Sequence, residues 1–427
     1  MNEHGLAVTS TFGAEQMLRI RRDAISLAGR MDPQVFDQCG IASFALKIST
    51  STLEHVFSEA ELAWRELADL ERRLLASPAL WKRLCLPHRL TFLMRSSNTR
   101  LQKSVRYARF DFHPTPAGWS VSEINADVPG GLLEAGPLAH IVAREVATDF
   151  AFIPQPARIL ATAIDASCNS RDGVIALLHA TSYSDDAQVM HCLRRELEAI
   201  GRRATLASPL HLCLVDGQPR LTTTNEPVAG VFRFFPAEWL ANLPRRGTWR
   251  EALTHADLAV CNPLSAALLQ SKRLPLLAQD MNHLLPVWSR LCPPSSALGS
   301  RVFRRELAAD NEVLKPAWGR VGAGICIRGV TSDKDTRSAT LAARLRPSQW
   351  LVQERFTSVP VMVGHIPQHV CLGVYVVNGR AAGIYGRVAR QPIIDSRAQD
   401  VAVLLEPSGP VARTVPVSPA CERVVHV

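Results

Sequence analysis

The 427-residue sequence predicts an α/β (α+β) protein with a helical N-terminal region. Three observations carry that expectation. Apolar residues recur at helical spacing through most of the first hundred positions. From Val105 the period shortens to two, the alternation of paired strands. Between about 170 and 265, short apolar runs alternate with amphipathic segments, the strand–helix–strand order of an open, largely parallel sheet.

The elements follow in order. In "TSTLEHVFSEAELAWRELADLERRLLASP", Phe57, Ala60, Trp64, Leu67 and Leu74 form one apolar helical stripe with charges between them, which belongs in the core. "RYARFDF" and "WSVSEIN" alternate around "HPTPAG", whose prolines and glycine suit a hairpin turn. "GVIALLHA" reads as a buried strand and "SYSDDAQVMHCLRRELEAIG" as a helix. Ser184 is the expected N-cap, Met190, Leu193, Leu197 and Ile200 the apolar face, and Gly201 the stop. Further strands are expected at "ATLAS", "LHLCLVDG", "VAGVFRFF" and "ADLAVCN". The loop "LCPPSSALGS" precedes a last α/β unit that begins near 300, and no internal repeat is present.

Composition narrows the function class. Hydrophobic residues make up 47% and charged residues 20%, an ordinary globular balance. No apolar run approaches the ~18 residues of a membrane span, and the N-terminus lacks the apolar core of a secretory signal. A cytoplasmic protein without a membrane partner is expected. The ten cysteines show no CxxC pair and no zinc-finger spacing, which favours free thiols in a reducing compartment. The formal charge of +9 is carried by dispersed arginines, often beside acids as in "ELADLERRLL". No basic stripe with interleaved aromatics appears, so nucleic acid is not the expected partner. A phosphate-rich small ligand suffices.

The hairpin holds the first chemical signal. On regular strands Arg109 and Asp111 share a face, and so do Glu123 and Asn125. If the turn brings those faces together, two carboxylates and an amide oxygen converge. Mg²⁺ takes such oxygen ligands and leaves positions for water and substrate phosphates, which Arg109 would also meet. An exposed hairpin explains the charges. It does not explain the run "NADVPGG", in which Asn125 leads into a tight loop and Glu134.

The second signal lies some two hundred residues later. In "NEVLKPAWGRVGAGICIRGV" a β-run ends at Lys315, and a glycine loop with Gly322 and Gly324 leads into another β-run. Glycines let backbone N–H groups approach phosphates. No Gly-Lys-Ser/Thr follows, so the loop is no Walker A; alone, it fits a plain hairpin equally. "QWLVQERF" is a strand ending in Gln353 and Glu354, suited to adenine and ribose. "VCLGVYVVNGRAAGIYGRVA" is a hairpin turning at Asn378-Gly379 and leading to Arg387. The order of these parts is more specific than any one of them.

Taken together, "RFDF…SEINADVP", "LKPAWGRVGAGI", "VQERF" and "VYVVNGRAAGIYGRV" resemble the glutathionylspermidine synthase family of the ATP-grasp superfamily, over most of residues 100 to 395. In that family the ATP-grasp domain is circularly permuted, which accounts for a metal hairpin so early in the chain. The resemblance implies an ATP-grasp-like fold with a preATP-grasp α/β unit. It divides the chain into 1–100, helical; 101–168, metal hairpin and following segment; 169–265, preATP-grasp-like; 266–405, nucleotide-binding; and 406–427, a Pro/Val-rich tail.

It also implies roles. Asp111, Glu123 and Asn125 would bind Mg²⁺; Arg109 and the late Arg387 would act on the transferred phosphoryl group. Lys315 would contact ATP, and Lys272 in "LLQSKRLPLL" would be a second nucleotide lysine, although Ser271 stands where the family usually has Asn. An ordinary helix-surface lysine is the alternative. The implied reaction joins a carboxylate to an amine through an acylphosphate, releasing ADP and phosphate, and the hairpin trio is expected to serve catalysis with little structural duty. A non-catalytic ATP-binding scaffold is the competing reading. Bifunctional members add an amidase with a cysteine nucleophile; the chain leaves no room for it, and Cys39 in "FDQCGIA" lacks a convincing partner. Glutathione-using members place serines after the metal-site asparagine, where Val128, Pro129 and Gly130 stand here. A different carboxylate is therefore expected, unless Ser182, Tyr183 or Arg233 compensates.

Overall fold

The structure is a computed structural model. It describes all residues except 32–33, 36–37, 97–103, 147–149, 152, 170, 304–305, 321 and 407–427. The Pro/Val-rich tail beyond Glu406, and Val321 of the glycine loop, therefore lie outside the described residues.

A six-stranded antiparallel sheet builds the centre. Its order is Gln399–Val401, Arg380–Ala389, Ile366–Val377, Tyr107–Thr115 and Gly118–Asn125, with Val361–Val363 added along Ile366–Val377. Strands from the first third of the chain thus pair with strands from the last fifth, as a permuted fold requires. Alternation splits the sheet into two faces. Phe110, Phe112, Leu372, Val374 and Val376 point into a core shared with the helix Thr50–Ala76. That helix starts at Ser49, whose hydroxyl accepts from the Thr52 N–H at 3.2 Å. Ala60, Trp64, Leu67 and Leu74 of its stripe are buried, and Phe57 packs at the edge. The opposite face of the sheet carries Arg109, Asp111, Tyr375, Tyr385 and Arg387.

The five-stranded parallel sheet runs Ser104–Val105, Ala259–Cys261, Val228–Arg233, Val174–Leu178 and Ala204–Ala207. Its middle strands are wholly buried, as expected where both faces of a parallel sheet are covered. The helix Ser184–Ala199 makes one crossover, and Gly201 ends it at φ 83°. Its N-cap is Tyr183, with Ser184 already helical, so the hydroxyl expected to cap it does not. "LHLCLVDG" forms a strand outside this sheet, since Leu212–Val215 pairs with Gln218–Leu221 as a separate hairpin. Asp216 and Gly217, both at positive φ, turn it back before it can join.

A third, four-stranded antiparallel sheet runs Ser295–Ala297, Trp350–Glu354, Glu312–Pro316 and Cys326–Ile327, with its own small core around Leu314, Trp350 and Val352. The N-terminal hundred residues are less uniformly helical than their periodicity suggests. Leu6–Val8 and Leu46–Ile48 join Val403–Leu405 in a three-stranded sheet, which ties the two ends of the described chain together. No helix among the described residues is long and apolar enough to cross a membrane.

Candidate active site

The polar face of the antiparallel sheet forms one wall of a cleft of about 480 Å³. Register brings the hairpin residues together directly: Arg109 opposes Asn125, and Asp111 opposes Glu123. Arg109 forks onto Asp111, with Nε 2.7 Å from Oδ1 and Nη2 3.0 Å from Oδ2. Its Nη1 donates to the Gly130 carbonyl at 3.0 Å, which also accepts from Tyr375 Oη at 2.6 Å. Asn125 Nδ2 donates to Asp111 Oδ2 at 3.1 Å. The flat course of Arg109 depends on Gly373 of the neighbouring strand, where a Cβ would lie 2.6 Å from Arg109 Cδ. Gly131, at φ 91°, admits no side chain either, because a Cβ would lie 2.6 Å from Tyr375 Oη.

Glu123 holds the other end of the trio. Its Oε2 lies 2.5 Å from Lys272 Nζ, whose side chain is only 6% exposed. Lys272 is thus no helix-surface lysine: it follows the short helix Ala267–Gln270 and turns inward, where Nζ also donates to the Gly319 carbonyl at 3.2 Å. Burial opposes ionisation of Glu123, but Lys272, then Lys315 and Arg109, outweigh it and hold the carboxyl down at about 2. The carboxylate is therefore fully charged at neutral pH.

Lys315 enters from the four-stranded sheet. It is buried, with Nζ 2.5 Å from Gln353 Oε1 and 3.3 Å from the Ser122 carbonyl. Burial pulls its ammonium down to about 8, although Glu123 pushes the other way. Glu354 stands exposed at the end of the Gln353 strand, on the rim of the cleft. Gly322 lines the cleft at φ 71°, whereas Gly324 faces away and packs toward Pro316 and Trp350. Arg387 sits opposite Cys371, its Nη2 donating to the Asp395 carbonyl at 2.6 Å. Its buried Nε has no hydrogen-bond partner among the described residues.

Of the eleven residues singled out from the sequence, nine line this one cleft. Lys272 adjoins it through Glu123, and only Gly324 stands apart. The trio reaches three ligands only through the Asn125 amide; no group of three His, Cys, Asp or Glu side chains placed to hold a metal occurs among the described residues.

Sequence reasoning missed several neighbours. His113 is buried with Nε2 3.0 Å from Ser122 Oγ, and it packs on Phe356 with ring centroids 5.1 Å apart. Burial holds its imidazole down at about 4, hence neutral. Its place two residues after Asp111, on the same strand face, was the available signal. Arg320, in the glycine loop, donates to Glu238 at 2.8 Å and lies 6.0 Å over the Trp239 ring. A buried group of Arg30, Glu134 and Asp400 closes the far end, with Arg30 bonded to both acids and Tyr385 Oη to Asp400. Glu134 was visible after the "NADVPGG" loop, but Arg30 and Asp400 come from distant segments, and no local pattern joins them to it.

The comparisons agree with this architecture. Residues 41–406 match the model of the family described as glutathionylspermidine synthase preATP-grasp. The fold is similar to that of the apo form of a glutathione synthetase-like effector, GSS30, from Globodera pallida, with a TM-score of 0.64 over 92% of this chain and 96% of that one. At 12% identity the likeness is one of fold. A putative gamma-glutamylcysteine synthetase from Methylobacillus flagellatus KT aligns at a TM-score of 0.41 and 13% identity, over 75% of this chain and 82% of that one. No curated protein matches the sequence. A sheet that pairs the early hairpin with the late one, a cleft that gathers both sets of motif residues, and a family match over residues 41–406 lead to one assignment: the chain belongs to the glutathionylspermidine synthase preATP-grasp family.

Proposed function

We propose that the protein is an ATP-dependent ligase that joins a carboxylate to an amine through an acylphosphate, releasing ADP and phosphate. The observation that carries this reading is the convergence of Asp111, Glu123, Asn125, Arg109, Lys315, Gln353 and Arg387 on a single cleft. The purine end would be the slot by Val313, Ile327 and Phe356, with Gln353 and Glu354 toward base and ribose. Neutral His113 adds surface there without adding charge.

The donor set suits Mg²⁺, being two carboxylates at directly opposed sheet positions and one amide oxygen two residues along, all hard ligands. Bound there, Mg²⁺ would neutralise part of the phosphate charge. Both carboxylates are now held by cations, Asp111 by Arg109 and Glu123 by Lys272. Arriving phosphates would draw those cations away and leave the carboxylates free. Nucleotide and metal should therefore enter together.

In the reaction, an oxygen of the substrate carboxylate attacks the γ-phosphorus, and the bond to the β-phosphate oxygen breaks as ADP leaves. The amine nitrogen then attacks the acyl carbon. The carbon–oxygen bond to phosphate breaks, phosphate leaves, and the nitrogen gives up a proton to solvent. Arg109 and Arg387 would spread the charge that develops on the transferred group, and the partnerless Nε of Arg387 supplies a donor ready for it. Lys315 would hold the phosphates in line. Positioning and charge neutralisation carry such a transfer without a protein nucleophile.

The test is ADP release by purified protein with ATP, Mg²⁺ and panels of amino acids, peptides and amines. Release that requires both a carboxylate and an amine supports the ligase. ADP formation indifferent to either, or none with any pair, contradicts it.

A further inference from the structure

Beside Arg109 the lining of the cleft turns apolar. One wall is the loop after Asn125. Arg109 and Tyr375 both bond the Gly130 carbonyl, so this loop lies beside the arginine that would meet the transferred phosphoryl group. Val128 and Gly130 present no polar side-chain atom to the cleft. Phe234 lies against Gly130, and Pro236 and Trp239 line the same cleft. Trp239 is 39% exposed and carries Tyr183 against it, with ring centroids 6.1 Å apart.

Arg233, the charged group able to compensate, is engaged elsewhere. Asp127 and Arg233 have wholly buried side chains and are paired at 2.5 Å. Arg233 further donates to the carbonyls of Asn262 and Phe235, and Asp127 accepts from the Ala237 N–H. Ser182 is exposed and does not line the cleft. Nor is the bareness of the loop a steric necessity. A Cβ on Gly130 would lie 3.6 Å from Phe234 Cζ, an ordinary contact, so a serine fits where none stands.

Asp185 and Asp186, in the first turn of the helix Ser184–Ala199, also line the cleft, and its arginines on this side are paired with other acids, Arg320 with Glu238 and Asp127 and Arg30 with Glu134 and Asp400, so acids outnumber cations here. A second carboxylate on the donor would meet repulsion there, and an ammonium would be welcome.

We propose that the carboxylate donor is an α-amino acid with a large apolar side chain, aromatic or branched. Its carboxylate faces Arg109, its side chain lies on the Phe234–Trp239 wall, and its ammonium turns toward Asp185 and Asp186. This rests on the ligase reading and narrows it. A tripeptide with two carboxylates fits neither the apolar wall nor the anionic side.

Hydroxylamine intercepts acylphosphates whatever the natural amine, so hydroxamate formation reads the donor alone. With ATP and Mg²⁺, phenylalanine and leucine should give hydroxamate with kcat/KM about 10- to 200-fold above alanine, the range that added apolar bulk commands in a matching pocket. Aspartate and glutathione should stay at background. Trp239→Ala should reduce the phenylalanine-over-alanine ratio about tenfold. Gly130→Ser should reduce it too, by setting a hydroxyl against the apolar wall. Calorimetry of ATP on the same variants checks that the nucleotide end is intact. Preference for glutathione or aspartate, or a flat profile, overturns the donor assignment and leaves the ligase standing. No hydroxamate from any donor, in protein that binds ATP, overturns both.

Discussion

Lys315 is the residue whose charge the site controls most closely. In the free protein, burial holds its ammonium near a pKa of about 8, against about 10.4 in water. Phosphates favour the charged form. The contribution of Lys315 to ATP affinity should therefore be constant below about 8 and fall as pH rises through that value, with proton uptake on binding above it. Calorimetry at pH 9 in two buffers of different ionisation heat measures the uptake, and none would place Lys315 away from the phosphates. Lys315→Ala should weaken ATP binding at least about tenfold, the loss of one charge-assisted contact. Glu123 works in the opposite sense. Its folded value of about 2 lies below the ordinary carboxyl range, so its stabilising pair with Lys272 is complete above that range and is lost as pH falls through about 2. The sequence suggested that the trio is structurally dispensable; the buried Lys272 amends that. Glu123→Gln removes the countercharge of a side chain 6% exposed. It should cost about 1–3 kcal/mol in denaturant unfolding as well as Mg-dependent turnover. Unchanged unfolding would mean that solvent already pairs Lys272.

At the scale of elements, the hairpins were the legible part. Alternation put Arg109 and Asp111 of "RFDF" on one strand face and Glu123 and Asn125 of "SEIN" on another, and register set the two pairs opposite each other. The Asn378-Gly379 turn reads directly from the dipeptide, with both residues at positive φ. What alternation does not reveal is which strand lies alongside. Gly373 opposes Asp111 from a strand more than two hundred residues away, and its lack of a side chain gives Arg109 its course. Gly373→Ala would set a Cβ 2.6 Å from Arg109 Cδ. The arginine must shift, so turnover should fall at least about tenfold with the ATP dissociation constant little changed. Equal loss of both would show general damage to the sheet. The hairpin at Leu212–Val215 shows the converse limit: its apolar run suits a parallel strand, but local turn geometry at Asp216 and Gly217 decided its partner.

Across the whole molecule, the site is held where separate sheets meet, and the buried pair of Asp127 and Arg233 is the clearest tie. It joins the loop after Asn125 to the end of a parallel strand and to the start of the helix Ala237–Leu240. Neither residue stood out as structural, because a buried charge pair has no sequence period. Asp127→Asn leaves Arg233 buried without a countercharge and should cost about 3–5 kcal/mol in denaturant unfolding; a loss under about 1 kcal/mol would contradict so deep a tie. Permutation was legible for a simpler reason: the order of motifs survives in the chain even when their contacts do not. These distant pieces should form one ATP–Mg²⁺ site. Calorimetric titration of ATP, with and without Mg²⁺, tests it most directly. Binding should be saturable and one-to-one with Mg²⁺ and weaken at least about tenfold without it, as the ion-paired carboxylates recapture their cations. No ATP binding, or an affinity indifferent to Mg²⁺, would contradict it.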